Sequence, residues 1–213
     1  MPSESSRRLG RPRDSSSAET RHRILDVARG CFAEFGFEGT TNKTVASAAD
    51  ITTGAIYHYF ESKVDTYVAV YESVQTLVYD RFDAALNSTM TFREMLGALL
   101  DTAHDLNNED PTLAQFLGSA RVDFQRYPGI ATEIDDQVLS RRTRFFAAIV
   151  DRGIATGEIT AQDRSRVLAL IETLVSGLTD AVSGNEVTHQ LAVDAIKALV
   201  DGTLVGHPNP EQS

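Results

Sequence analysis

Only one cysteine, Cys31, occurs in the 213 residues, so the chain can form no internal disulfide. It falls in the apolar stripe of a helical segment, where a thiol behaves as a small hydrophobe, and reads as an inert core residue. No apolar run approaches the ~20 residues of a membrane span. No apolar stretch follows the first arginines, which argues against a secretory signal. These absences point to a cytoplasmic protein with no membrane partner. The five histidines, at 22, 58, 104, 189 and 207, are scattered and lack ligand spacing, so no metal site is expected. There is no Gly-rich phosphate loop and no strand-turn-helix elbow to carry a Ser-His-Asp triad. We therefore expect no cofactor, no catalytic residues and no enzymatic activity. Nowhere does apolar and polar alternation run long enough for a strand, and the expected fold is all-α.

Positive charge is also short. Lys and Arg number 20 against 30 Asp and Glu, a net charge of −10. The deficit is unevenly placed: residues 1–65 carry nine of each sign, and residues 66–213 carry eleven cations against twenty-one anions. An acidic body thus adjoins a head that a polyanion would accept. Residues 1–18, rich in Ser, Arg, Pro and Gly, read as a disordered basic arm whose Arg7, Arg8, Arg11 and Arg13 either follow a phosphate backbone or stay in solvent.

What the chain does have is helical punctuation. A first helix is expected over 19–35, with Ile24, Leu25, Ala28, Cys31, Phe32 and Phe35 on one stripe and Gly36 at its end. Next come two short helices around a turn. In the first, Val45, Ala46 and Ala49 form a buried stripe behind a Thr41 N-cap. The turn Asp50-Ile51-Thr52 needs a left-handed Asp50, an Ile51 plug and a Thr52 cap. In the second helix Ile56 and Phe60 point inward, which leaves Thr53, Ala55, Tyr57, His58 and Tyr59 on other faces. Gly54 is costly inside a helix and suggests a close approach, with DNA the first candidate. This is how a helix-turn-helix presents a recognition helix to the major groove. Hydroxyls and imidazole suit phosphate oxygens, and the flat or short residues suit base edges. The candidate DNA contacts are Thr41, Asn42, Lys43, Thr52, Thr53, Gly54, Ala55, Tyr57, His58, Tyr59 and Lys63, the last gripping a phosphate beside a helix N-terminus.

Residues 20–66 resemble the DNA-binding domain of the TetR family of bacterial transcriptional regulators. The resemblance rests on Ala28, Phe32, Gly36, Gly39-Thr40-Thr41, Val45-Ala46, Ala49, Gly54, Ile56-Tyr57-His58-Tyr59-Phe60 and Ser62-Lys63. Asp50 stands where the family usually has Gly, and Ala55 where a hydroxyl or amide is common, which reduces readout there to a methyl contact. The resemblance implies a homodimeric, ligand-responsive regulator, read here as a repressor that a small-molecule effector releases from a palindromic operator in double-stranded DNA. It divides the chain into the arm (1–18), a helix-turn-helix DNA-binding domain (19–66), a ligand-binding and dimerisation domain (67–206) and a tail (207–213).

Beyond the head, patterning predicts a long helix over 62–86, a natural lever between head and body, then helices over 91–106, 111–126, 130–156, 162–183 and 188–204. Asp110-Pro111 reads as an N-cap with Pro at the first helical position, and Thr160 with Asp163 as a capping box. The last two helices are apolar on too many sides for a monomer surface, which suggests a four-helix dimer face. Within 130–156, Arg142 falls at the centre of the stripe Ile134, Val138, Phe145, Phe146 and Ile149. Two readings of it stand. Either it pairs with Asp135 or a neighbouring carboxylate, or it meets the anionic end of a largely apolar ligand lying among Phe116, Leu117, Phe124, Phe145 and Phe146. His104 reads as a core histidine. The rival in another class is an all-helical small-molecule-binding protein or enzyme without DNA binding.

Overall fold

The computed structural model describes residues 13–181 and 186–204, with side chains over 17–179 and 188–204. All regular structure among the described residues is helical. Helix α1 (Arg13–Gly39) starts earlier than the expected residue 19 and takes up residues 13–18 of the predicted arm, whose first twelve residues lie outside the described ones. At Gly36 the backbone turns to φ 68°, ψ 179°, a path open to glycine alone at low cost, and the straight helix ends there. One last turn resumes to Gly39.

Local hydrogen bonds set the next three starts. The Thr41 hydroxyl accepts from Thr44 N at 3.1 Å and opens α2 (Asn42–Ala48). Thr52 accepts from Ala55 N at 3.2 Å and opens α3 (Thr53–Tyr59). Ser62 accepts from Asp65 N at 3.1 Å and opens α4 (Lys63–Ala85). Asp50 takes the left-handed conformation that the turn demands, at φ 54°.

The body holds α5 (Phe92–Glu109), α6 (Pro111–Arg126), α7 (Pro128–Ala131), α8 (Asp136–Ala155), a 3-10 turn (Ala161–Asp163), α9 (Arg164–Ala181) and α10 (Glu186–Val200). Thr91 and Glu94 form a reciprocal capping box on α5, and Asp110 caps α6 with Pro111 in its first turn. The helix expected over 130–156 is two helices. Asp135 leaves the helical path at φ −56°, ψ 130° and caps α8 through Gln137 N at 2.7 Å. Thr160 does not cap a backbone N–H; its hydroxyl donates to the Asp163 carboxylate at 2.7 Å.

Head and body share one core. Ile24, Ala28 and Phe32 of α1, Val45 of α2, Ile56 of α3, Tyr67 and Val70 of α4 and Phe116 of α6 are buried in a single cluster that continues to Ile171 of α9. Helix α1 packs along both α4 and α6. Arg29 of α1 ties the same seam by donating to the Asp110 carboxylate and to Thr112 Oγ1 at 2.9 Å.

Candidate nucleic-acid interface and ligand cavity

With Ile56 fully buried and Phe60 nearly so, α3 is anchored along one side. Its opposite side is open. Tyr57 is 55% exposed, Thr52, Gly54 and His58 are exposed, and Thr53 and Ala55 are half-buried at the flank. A Cβ built on Gly54 would meet nothing nearer than Thr52 Oγ1 at 3.9 Å, so nothing within the chain requires glycine there. Tyr59 is half-buried against the core, its ring edge-on to His58 at 5.1 Å between centroids. From α2 and its cap, Thr41 and Lys43 are exposed.

Two predicted contacts are placed elsewhere. Asn42, the first residue of α2, is 7% exposed, so its side chain faces the head rather than a duplex. Lys63 donates through Nζ to the Phe37 carbonyl at 2.8 Å and lies 4.1 Å over the Phe37 ring. Its ammonium closes the C-terminal end of α1, where an unpaired carbonyl favours a cation. Sequence reading could not find that partner, 26 positions away beyond the Gly36 bend. It also passed over Arg21, an exposed cation whose guanidinium lies 5.3 Å above the Phe60 ring at the end of α3.

In the body, α4, α5, α6, α8, α9 and α10 surround a cavity of about 310 Å³. Its wall is mostly apolar: Val78, Phe82, Leu96, Leu99, Leu117, Phe124, Phe146 and Ile171 all border it. Of the predicted ligand residues, Leu117, Phe124, Arg142 and Phe146 line this space. Phe116 and Phe145 do not. Phe116 is fully buried on the head side of α6, in ring contact with Phe32 and Tyr67. Phe145 packs its ring on Tyr79 and Phe82 at 5.3 and 5.9 Å.

Arg142 resolves against its first reading. Asp135 is occupied at the start of α8, and among the described residues no carboxylate lies within ion-pair distance of Arg142. Its guanidinium donates to Ser176 Oγ at 3.4 Å. The adjacent Arg141, by contrast, pairs with Asp80 and Asp83. Burial raises the Tyr71 and Tyr79 hydroxyls above the usual tyrosine range, and the Arg142 charge partly offsets the rise in both. A guanidinium at a cavity wall with a single weak neutral partner can receive an anion.

A second polar group borders the cavity. His189, 2% exposed on α10, shares a 3.1 Å Nδ1–Nδ1 hydrogen bond with His104 of α5. Burial, then the neighbouring His104, lowers its pKa below the ordinary histidine value. His104, expected as a core histidine, is half-buried and bonds His189 and Asn108. Asn107 and Gln75, both buried, also face the cavity.

A solvent-facing short helix behind a tight turn, on a three-helix head joined to a body with a largely apolar cavity, defines a helix-turn-helix protein of the DNA-binding, ligand-sensing class. Residues 24–70 match the model of the bacterial regulatory proteins, tetR family. That match covers the helix-turn-helix head and the start of α4, less than half of the chain. It is 30% identical over 96 residues to the transcriptional repressor KstR2 of Rhodococcus jostii, a match that spans 44% of this chain and 47% of that protein, about half of each. It is 28% identical over 172 residues to the transcriptional repressor Rv1474c of Mycobacterium tuberculosis, covering 73% of this chain and 90% of that one. Its fold is shared with the transcriptional regulator FadR of Bacillus subtilis, solved in complex with stearoyl-CoA, at a TM-score of 0.68 and 21% identity over 85% of this chain and 98% of that chain.

Proposed function

We propose that the chain is a cytoplasmic, homodimeric transcriptional repressor that an apolar, anionic small molecule releases from a palindromic operator. Thr41, Lys43, Thr52, Thr53, Gly54, Ala55, Tyr57 and His58 form the DNA face, with Tyr59 supporting His58 from behind. Thr53 and Gly54, at the N-terminal end of α3, are placed to meet base edges, and the exposed hydroxyls and Lys43 to meet phosphates. The observation that carries this reading is the course of α4. It begins at Ser62 beside α3, and its later turns (Tyr71, Gln75, Val78, Tyr79, Phe82) form one wall of the cavity. One rigid element therefore belongs to both sites. A ligand that prefers one tilt of α4 shifts the head between binding-competent and incompetent placements.

The dimer face is assigned to α9 and α10. Leu170, Leu191 and Leu199 are 51%, 62% and 55% exposed on these two helices, an apolar surface that a second copy would cover as an isologous four-helix bundle. Two such heads would read half-sites ~34–36 Å apart, one turn of the duplex. In the cavity, Arg142 receives the effector's anionic end while Leu117, Phe124 and Phe146 enclose its apolar part. The fold relative solved in complex with stearoyl-CoA, an acyl compound with an anionic end, supports this reading of the effector. Fluorescence anisotropy against fragments of the gene's own upstream DNA tests the reading. Salt-sensitive binding to one fragment, lost in Tyr57→Ala, is the expected result, and binding to no fragment at low salt would overturn it.

A further inference from the structure

The cavity holds a second polar anchor that the anion-binding role of Arg142 leaves unused. It lies on different helices. On α5, Asn108 donates its amide Nδ2 to His104 Nε2 at 2.9 Å. An amide nitrogen only donates, so this Nε2 accepts, and a neutral His104 must carry its proton on Nδ1. His104 Nδ1–H then donates to His189 Nδ1 at 3.1 Å. The ring centroids stand 5.4 Å apart and the ring planes differ by 14°, which fits two imidazoles nearly coplanar and joined nitrogen to nitrogen. His189, accepting at Nδ1, keeps its own proton on Nε2. The chain Asn108 to His104 to His189 thus turns one buried imidazole of the cavity wall into a neutral donor.

An acceptor borders the same cavity. Asn107, one turn along α5 from His104, is 7% exposed and lines the same cavity, and its Oδ1 is buried with no hydrogen-bond partner. A buried amide oxygen left unpaired is costly, and in a ligand-binding wall it marks where a ligand donor belongs. One group satisfies a donor and an acceptor together. A hydroxyl accepts from the N–H and donates its own proton to the amide oxygen. A ketone would leave Asn107 Oδ1 unpaired, and a carboxylate would set its lone pairs against that oxygen.

We propose that His189 Nε2–H and Asn107 Oδ1 form a hydroxyl-recognition site, so that the effector is an apolar compound bearing a neutral hydroxyl as well as the acid met by Arg142. This rests on the cavity being the effector site. The hydroxyl and the acid are read by separate residues and can be tested separately.

Isothermal titration of the full chain with 2-decanol, 2-decanone and decanoate does so. 2-Decanol is expected to bind about tenfold more tightly than the isosteric 2-decanone, the worth of one buried hydrogen bond; Asn107→Leu should erase that ratio, His189→Phe should weaken alcohol and ketone alike, and decanoate binding should persist in both. Decanoate binding should fall in Arg142→Met, a variant that should keep the alcohol-to-ketone ratio. If decanoate fails while the alcohol keeps its advantage, the acid reading falls and the hydroxyl site stands. An alcohol no better than the ketone overturns the hydroxyl site, and no binding by any of the three overturns both. Should the variants not fold, 15N spectra of the histidine rings in the unaltered protein decide: His189 protonated on Nε2 and His104 on Nδ1 is expected, and the reverse tautomers overturn the proposal.

Discussion

The Tyr67 hydroxyl on α4 donates to the Asp123 carboxylate on α6 across a 2.9 Å hydrogen bond buried between head and body. The same carboxylate oxygen also accepts from Phe37 N at 3.0 Å, just past the Gly36 bend. Burial, followed by the Asp123 charge, pushes the Tyr67 hydroxyl far above the usual tyrosine range, so it is a permanent donor at any physiological pH. Three segments (the exit of α1, the second turn of α4 and the cavity-side helix α6) therefore meet at one acceptor.

Tyr67→Phe removes one donor and keeps the ring contacts with Phe32 and Phe116. Hydrogen bonds to charged groups contribute about 1.5–3 kcal/mol, so a loss of that size is expected in urea unfolding. An unchanged midpoint would show that water replaces the phenol at no cost.

Lys43 and Lys63 should separate in DNA binding. Lys43 is exposed and free to meet a phosphate, so Lys43→Ala should lower the slope of log K against log salt by about 0.9 per protomer, about 1.8 for a dimer on two half-sites. Lys63 is engaged with the Phe37 carbonyl and ring, and Lys63→Met should leave the slope intact while destabilising the fold. A slope that drops equally in both would return Lys63 to the DNA face.

Gly54→Ala offers a sharper separation. The new methyl has open space within the protein, and alanine in a helix is favoured over glycine by about 0.8–1 kcal/mol. Thermal unfolding should therefore move upward while operator affinity falls, because the duplex backbone would meet the methyl. Higher stability with unchanged affinity would place DNA away from this turn.

Acid should destabilise the body through His189. Its folded pKa is below the ordinary 6.5, so protons prefer the unfolded chain. Stability is full above pH 6.5 and declines as the pH falls from there through the lower folded value. His189→Phe should flatten that part of the pH profile relative to the unaltered protein; an identical slope in the variant would assign the acid sensitivity elsewhere.

What the sequence reveals of this molecule follows the range of each interaction. The caps Thr41, Thr52, Ser62 and Asp110 bond two or three residues onward, so a local pattern exposes them. The left-handed Asp50 is equally local. Lys63 was legible as a cation at a helix start, but its partner lies across the Gly36 bend. Asp135 looked like a helix-interior neighbour of Arg142 because periodicity ran through the break after α7; a capping carboxylate and an interior one share the same letter. Phe116 and Phe145 have the right chemistry on the right helices, yet which side of a two-sided buried helix meets a void depends on the packing of every neighbour. The His104–His189 bond joins positions 85 apart and left no pattern to read.

The shared carboxylate at Asp123 limits how this protein could be recombined. Its head looks like a portable module, yet the backbone N–H of Phe37 and the phenol of Tyr67 both end on an acid that the body supplies. A chimaera that grafted residues 24–70 onto a foreign sensor with leucine at the position of Asp123 would strand both donors in a dry seam. Module exchange among such proteins should therefore succeed only where the recipient carries the acid, or where the incoming head has surrendered its phenol.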